Sequence, residues 1–114
     1  MDTALYRPRL EDELASLTAE SAAAKDARAP VELDQQSVGR LSRMDAMQVQ
    51  AMAEETERRR QARMQAIRAA LKRMDAGDYG YCVTCDEEIS EKRLDLDPAT
   101  ATCIDCAGAT RPGA

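Results

Sequence analysis

The sequence has no histidine, phenylalanine or tryptophan, and only three tyrosines among its 114 residues. Without histidine, a Ser-His-Asp or Cys-His catalytic centre is excluded and the commonest general base is missing. The apolar content is 44% and comes mainly from alanine and aliphatic side chains, which favour thin helix-on-helix packing over a thick globular core. We therefore expect a mostly α protein that is not an enzyme.

Long hydrophobic runs are also absent. No stretch approaches the roughly 20 apolar residues that span a bilayer, and Met1 to Leu14 alternates charged and apolar residues, unlike a signal-peptide core. We expect a cytoplasmic protein with no membrane contact, in a compartment that keeps thiols reduced.

Charge is unevenly distributed along a chain whose net charge is −5. Because the chain is acidic, we do not expect direct DNA binding. One stretch, from Arg58 to Arg73, holds seven basic residues and no acids. It is either a solvated helix face or a surface for an acidic partner or a phosphate ligand. The candidate residues of that basic surface are Arg59, Arg60, Arg63 and Arg68.

Apolar spacing predicts an amphipathic first helix over about residues 8–27, in which Leu10, Leu14 and Leu17 share one face. The regular helix is placed from about residue 8 because Pro8 is best tolerated in a first turn, with helical structure before it as an open alternative. Ala29-Pro30 disfavours helical geometry, so residues 28–36 are expected to form a turn.

A second, longer helix is predicted over residues 37–76, with Gly77 ending it. Its apolar positions are dense at both ends and sparse in the middle, which suits one arm of an antiparallel coiled-coil hairpin with a narrow seam. The hairpin would comprise residues 1–77, and its longer arm would carry the rest of the chain.

Four cysteines form the most specific motif. Cys82-x2-Cys85 and Cys103-x2-Cys106 are 17 residues apart, a spacing expected for a zinc site with four cysteine ligands. Four thiolates fill the tetrahedral sphere, so we predict one structural Zn²⁺ in a small zinc-ribbon module of residues 78–107, followed by a flexible tail, 108–114. A redox Cys-x-x-Cys pair is disfavoured because no βαβ pattern surrounds either motif. An iron centre and a metal-free state also stay open.

The layout as a whole resembles the DksA/TraR family. The resemblance covers most of the chain and lies in a helical hairpin followed by these segments: Asp78-Tyr79-Gly80-Tyr81-Cys82-Val83-Thr84-Cys85, Ile89, Arg93-Leu94, Pro98-Ala99-Thr100 and Cys103-Ile104-Asp105-Cys106. The segment Val31 to Ala46 is similar to that of short members. The family implies a transcription regulator that binds RNA polymerase rather than DNA. Its hairpin enters the secondary channel and alters promoter-complex stability.

The family's hairpin tip differs from this sequence. Where the resemblance implies Asp-x-x-Asp-x-Ala, an ungapped count reaches Gly39, Ser42 and Met44. We therefore assign the polymerase-contacting tip to Asp45 and Ala46, with Asp34 as the second acidic candidate. Asp45 as an ordinary solvated helix residue is the alternative.

The resemblance also implies joint binding of guanosine tetraphosphate through basic residues. Here Ala66, Asp97 and Ala107 stand at those places, and an acidic Asp97 would repel a polyphosphate. We expect a weak or absent nucleotide response unless Arg63 or Arg68 substitutes.

Two non-enzymatic functions follow from the sequence. The first is a monomeric regulator that binds RNA polymerase through its hairpin. The second is a zinc-dependent protein-protein adaptor unrelated to polymerase, which uses the same hairpin as a docking element. Competition with known secondary-channel factors distinguishes the two.

Overall fold

A computed structural model of the chain describes residues 3–26 and 40–109. These residues contain four helices, and the part described measures 61 × 34 × 20 Å. The two long helices pack as an antiparallel hairpin, and the two short ones belong to a finger that follows it, which confirms the predicted fold class. The helices are α1 (Thr3–Ala23), α2 (Arg40–Ala76), α3 (Glu91–Leu96) and α4 (Ile104–Ala109).

The first helix extends further toward the N-terminus than the sequence predicts. It starts at Thr3 rather than near residue 8, with Pro8 inside it. Burial explains the extra turn, because the Tyr6 side chain is only 2% exposed in the core and the Arg7 guanidinium donates a 2.8 Å hydrogen bond to Asp75 of α2. Tertiary packing of this kind outweighs the local cost of proline.

The first helix also ends earlier than the expected residue 27. Its last residue is Ala23, and Ala24 N–H and Lys25 N–H then bond to the carbonyls of Glu20 and Ala22. The predicted turn, 28–36, and the predicted start of the second helix, 37–39, lie outside the described residues.

The second helix has a heptad seam. Its buried and half-buried positions alternate at three- and four-residue spacing, as in a coiled coil. Bulky apolar residues occupy the C-terminal half of the seam, whereas small or polar residues occupy the other half. The seam residues are Arg43, Ala46, Gln50, Ala53, Glu57, Arg60, Met64, Ile67, Leu71 and Met74.

A Schellman motif ends α2. Gly77 follows with a φ of +80°, a left-handed conformation that costs glycine little. Its N–H bonds to the carbonyl of Met74, and the N–H of Asp78 bonds to that of Arg73 at 2.8 Å. The chain therefore turns sharply out of the hairpin into the finger.

One hydrophobic core joins the base of the hairpin to the finger. Side chains from α1, α2 and the finger contribute to it together, so neither part has an independent core among the described residues. Its buried members are Tyr6, Leu10, Ile67, Ala70, Met74, Tyr79, Cys82, Ile89, Leu94 and Ala99.

None of the helices in residues 3–26 and 40–109 combines the length and apolar character that a membrane span requires.

Candidate metal centre and hairpin contacts

The four cysteine sulfurs converge on one point. All four Sγ atoms lie within 4.8 Å of one another, and those of Cys85 and Cys103 are 3.6 Å apart. A tetrahedron with Zn–S bonds of about 2.3 Å has edges of about 3.8 Å. The arrangement fits a zinc ion with four cysteine ligands.

The first cysteine pair lies in a tight backbone turn. Cys82 N–H donates to the carbonyl of Glu87 at 2.8 Å, and Asp86 N–H donates to the carbonyl of Cys82 at 2.9 Å. An isolated antiparallel bridge between Tyr81 and Glu88 closes the loop. The turn brings the sulfurs of Cys82 and Cys85 to the same side.

The second pair is positioned by a helix. Cys103 immediately precedes α4 and Cys106 lies in its first turn, where the N–H of Ala107 bonds to the carbonyl of Cys103. Arg93 of α3 supports this segment, since its Nε donates to the carbonyl of Thr102 at 2.9 Å.

The two pairs are also linked to each other, and α3 is capped locally. Val83 N–H donates to the carbonyl of Ala101 at 2.9 Å, which fixes the spacing between the turns. Ser90 precedes α3, and its hydroxyl accepts a hydrogen bond from the N–H of Arg93, a typical N-cap.

Two of the thiols have pKa values shifted in opposite directions. Burial opposes ionisation of Cys82, but hydrogen bonds from the backbone of Cys103, Cys85 and Thr84 to its sulfur lower its pKa to about 6. Hydrogen bonds to Cys103, Cys82 and Cys85, in that order, raise the pKa of Cys106 above its ordinary value. Four thiolates this close together repel one another, so a cation among them is needed to hold all four in the ionised form.

These properties confirm the predicted cofactor, one structural zinc ion. Four protein ligands leave no open position for a catalytic water or a substrate. The ion instead replaces an extensive core, because Cys82 belongs to the core cluster and Cys103 and Cys106 pack against it.

Polar contacts also attach the finger to the hairpin. The Tyr6 hydroxyl donates a 2.6 Å hydrogen bond to Asp95, and Arg9 donates to the carbonyl of the same residue at 3.0 Å. The rings of Tyr6 and Tyr79 are 5.9 Å apart, and the Tyr79 hydroxyl donates to the carbonyl of Pro98. Sequence reasoning missed the role of Tyr6 in this contact. The one signal in the sequence was that Tyr6 is one of only three aromatic residues.

The four predicted basic residues have different surroundings. Arg59 is exposed and lies 3.4 Å from a carboxylate oxygen of Glu55. Arg60 is half-buried between Glu57 at 3.0 Å and Glu20 at 3.7 Å. Arg68 is exposed.

The fourth basic residue, Arg63, connects three parts of the molecule. Its guanidinium on α2 contacts Glu13 of α1 at 2.6 Å and Asp97 of the finger at 2.9 Å. The hydrogen bond with Glu13 is the main effect that raises the pKa of Arg63, and Asp97 adds to it. Arg60 and Arg63 are therefore engaged within the chain, and the four residues do not form one free basic patch.

The candidate tip residues lie at the far end of the hairpin. Asp45 is exposed on the second turn of α2, and Ala46 is half-buried in its seam. Asp34 lies outside the described residues. Four strongly exposed apolar side chains lie nearby, which are Met44, Met47, Val49 and Met52. Sequence spacing counted Met44 and Met52 among the apolar positions of the second helix but gave no sign that they are exposed.

Comparisons with known sequences identify the finger. Residues 77–110 match the family model of the prokaryotic dksA/traR C4-type zinc finger. The chain is 49% identical over 43 residues to the RNA polymerase-binding transcription factor DksA of Haemophilus influenzae, a match that covers 38% of this chain and 30% of that protein. Over 40 residues it is 42% identical to the protein of the same name from Escherichia coli K12, covering 35% and 26%. The chain thus spans less than a third of the curated relatives it matches.

A comparison with solved structures extends the likeness to the fold of the hairpin. The chain matches the transcription factor DksA2 from Pseudomonas aeruginosa with a TM-score of 0.73, covering 94% of this chain and 81% of that one, at 22% sequence identity.

Proposed function

From a finger of the DksA/TraR family that follows a DksA2-like hairpin, we propose that the protein is a non-enzymatic transcription regulator that binds RNA polymerase. The observation that carries the proposal is the combination of a family-specific C4 finger with a long exposed rod. The curated relatives that the chain matches are named RNA polymerase-binding transcription factors. The closed zinc sphere supports a structural role for the metal.

The hairpin is the part that enters the secondary channel of polymerase. Ser21 near the end of α1 donates a hydrogen bond to Glu57 of α2, and residues 40–56 of α2 cover about 25 Å on the side away from the finger. At 20 Å in its smallest dimension, the molecule is narrow. A thin rod that ends in exposed apolar and acidic side chains suits insertion into a channel.

Asp45 contacts polymerase at the tip, with Ala46 beside it in the seam. Two observations support this assignment. Asp45 is exposed, and it lies between Met44 and Met47, which are also exposed. Methionine is enriched at protein interfaces. Asp34 is the second candidate. Promoter-complex stability changes because the tip acts within polymerase, without direct contact to DNA.

The response to guanosine tetraphosphate is weak or absent. Asp97 brings a negative charge to the face where Arg63 lies, and the two side chains neutralise one another. The exposed Arg68 is then the one basic candidate on that stretch of α2 with no described ion-pair partner in residues 3–26 and 40–109. One exposed arginine attracts a polyphosphate weakly.

Single-round transcription from a ribosomal RNA promoter tests the proposal. Purified cognate polymerase is titrated with the wild-type protein, with and without guanosine tetraphosphate. We expect the wild-type protein to change the lifetime of the promoter complex. Asp45→Asn should need at least a fivefold higher concentration for the same effect. Guanosine tetraphosphate should change the effect of the wild type by less than twofold. The matched control is Asp12→Asn, which alters an exposed carboxylate near the hairpin base and should act like the wild type.

Competition with a known secondary-channel factor separates the two functions considered. Displacement of that factor supports the channel mechanism. If saturating protein neither changes transcription nor displaces the factor, the polymerase proposal is wrong and the zinc-dependent adaptor replaces it.

A further inference from the structure

At the hairpin base, Arg73 has a buried nitrogen that no group in residues 3–26 and 40–109 satisfies. Arg73 is half-buried in the last turn of α2, and its Nη2 atom is buried with no hydrogen-bond partner in the described part of the chain. Desolvation lowers the pKa of Arg73. By contrast, Arg7, Arg60 and Arg63 are all paired with carboxylates.

Arg73 lines two adjoining cavities between α2 and the first cysteine turn. One has a volume of about 590 Å³ and extends to Tyr81 and Asp86. The other, of about 370 Å³, extends along α2 past Lys72. Arg73, Asp78 and Val83 border both, so the two cavities adjoin along Arg73 and are treated as one groove.

The groove has the composition of a protein-binding surface. Val83 is 58% exposed and Tyr81 is 44% exposed, so apolar surface flanks the unpaired guanidinium. Arginine and tyrosine dominate the energetics of many protein interfaces. A half-buried cation is also costly without an opposite charge, so Arg73 favours a carboxylate that accepts its N–H hydrogen bonds.

Charge limits what can bind there. Asp78 and Asp86 lie on the walls of the larger cavity, where they repel a multiply charged phosphate. A single carboxylate on an apolar segment satisfies Arg73 without much repulsion, and the planar guanidinium fits it in two-point geometry.

We propose that this groove binds an acidic, partly apolar segment of a partner protein, with a carboxylate of the partner paired to Arg73. Its identification as a segment of RNA polymerase rests on the proposed function. The groove is centred on Arg73 at the base of the hairpin, far along α2 from Asp45, and would supply a second contact that fixes the finger against the partner.

Affinity for core RNA polymerase is the first measurement, made on the full zinc-loaded protein. We expect Arg73→Met to weaken binding at least tenfold, because the partner carboxylate loses its cation. Arg73→Lys keeps the charge but not the planar group, so its affinity for polymerase should lie between those of the wild type and Arg73→Met. Lys92→Met, at an exposed cation of α3 to which no binding role is assigned, should change affinity less than twofold.

A structural role for Arg73 makes the opposite prediction. If the guanidinium mainly supported the fold, Arg73→Met would lower the thermal midpoint and the zinc content. We expect both to equal or exceed the wild-type values, since methionine fills the space without a buried charge. Unchanged polymerase affinity in Arg73→Met overturns the proposal even if the wild type binds polymerase well.

A second probe is independent of polymerase. The ¹⁵N resonance of Arg73 Nε is followed while acetyl-Leu-Glu-amide, acetyl-Leu-Gln-amide or inorganic phosphate is added. We expect the glutamate peptide to shift it at millimolar concentration and the other two to have little effect. Such a shift with no polymerase binding supports the groove and refutes the proposed function. No shift with the glutamate peptide, or equal shifts with both peptides, refutes the groove.

Discussion

At the residue scale, the most informative contacts link positions far apart in the sequence. Tyr6 and Asp95 are 89 residues apart and form a 2.6 Å hydrogen bond. Arg63 holds both Glu13 and Asp97. These few polar groups orient the finger on the hairpin, because hydrogen bonds and ion pairs have directional preferences that the apolar core lacks.

Tyr6→Phe tests this orientation through its pH dependence. The hydrogen bond with Asp95 and burial raise the pKa of Tyr6 to about 12, against about 10 for an unfolded tyrosine. The unfolded chain therefore releases this proton first, and the stability contributed below pH 10 is lost between about pH 10 and 12. We expect Tyr6→Phe to lower the free energy of unfolding by about 1 kcal/mol at pH 7.

At pH 11 that difference should shrink to near zero, because only the wild type pays for keeping Tyr6 protonated in the folded state. Urea unfolding at the two pH values measures both quantities. Tyr81→Phe, at a side chain that is 44% exposed, serves as the control with little effect at pH 7. A Tyr6→Phe deficit that is as large at pH 11 as at pH 7 would contradict the assignment.

At the element scale, the hairpin is apolar at its base and polar in the middle of its seam. Glu57 accepts hydrogen bonds from Ser21 of α1 at 2.6 Å, from Arg60 at 3.0 Å and from Gln61 at 2.8 Å. A polar group inside a coiled-coil seam fixes register, since a shifted register would leave it without partners. This cluster therefore sets how far α2 extends beyond α1.

Ser21→Ala tests the polar cluster. Loss of the hydroxyl removes a hydrogen bond to a half-buried carboxylate, while alanine improves helix propensity slightly. We expect Ser21→Ala to be about 1 kcal/mol less stable than Ser16→Ala, which changes an exposed serine of the same helix. Thermal or urea unfolding measures the difference, and equal stability of the two variants would show that Ser21 does not support the register.

The same elements show how much could be predicted from the sequence. Cysteine spacing was sufficient for the metal ligands, because two residues between cysteines restrict the turn geometry strongly. Helix periodicity predicted the hairpin but not the start at Thr3, which depends on burial of Tyr6 by residues of the finger. The pairing of Arg63 with Asp97, and the isolation of Arg73, depend on tertiary packing and left no local signal.

At the scale of the whole molecule, the finger and the hairpin base share one core. Leu10 of α1, Ile67 of α2 and Leu94 of α3 are each at most 1% exposed within it. The zinc ion holds the finger residues of this core in place, so the metal also stabilises the hairpin. The far half of α2 has little apolar seam and receives none of that support directly.

Zinc removal tests this coupling. Because zinc sites of this kind contribute roughly 10 kcal/mol to folding, chelation should unfold the finger and expose the base of the hairpin. We expect amide hydrogen exchange to accelerate by at least a hundredfold in residues 6–14 and 64–76, and by less than tenfold in residues 44–56. Added Zn²⁺ should reverse the change. Uniform protection of residues 64–76 without zinc would show that the hairpin has an independent core.

Because the finger and the hairpin base share one core, a rotation of the finger also rotates the long helix α2. The 37 residues of α2 are continuously helical from the Schellman turn at Gly77 to Arg40. At this length of about 55 Å, a rotation of about 5° at the finger displaces the far end by about 5 Å. A partner that binds the finger in a slightly rotated orientation would therefore shift the position of Asp45. Substitutions near Arg63 and Asp97 that change the angle between finger and hairpin would shift it too, although neither residue contacts the tip.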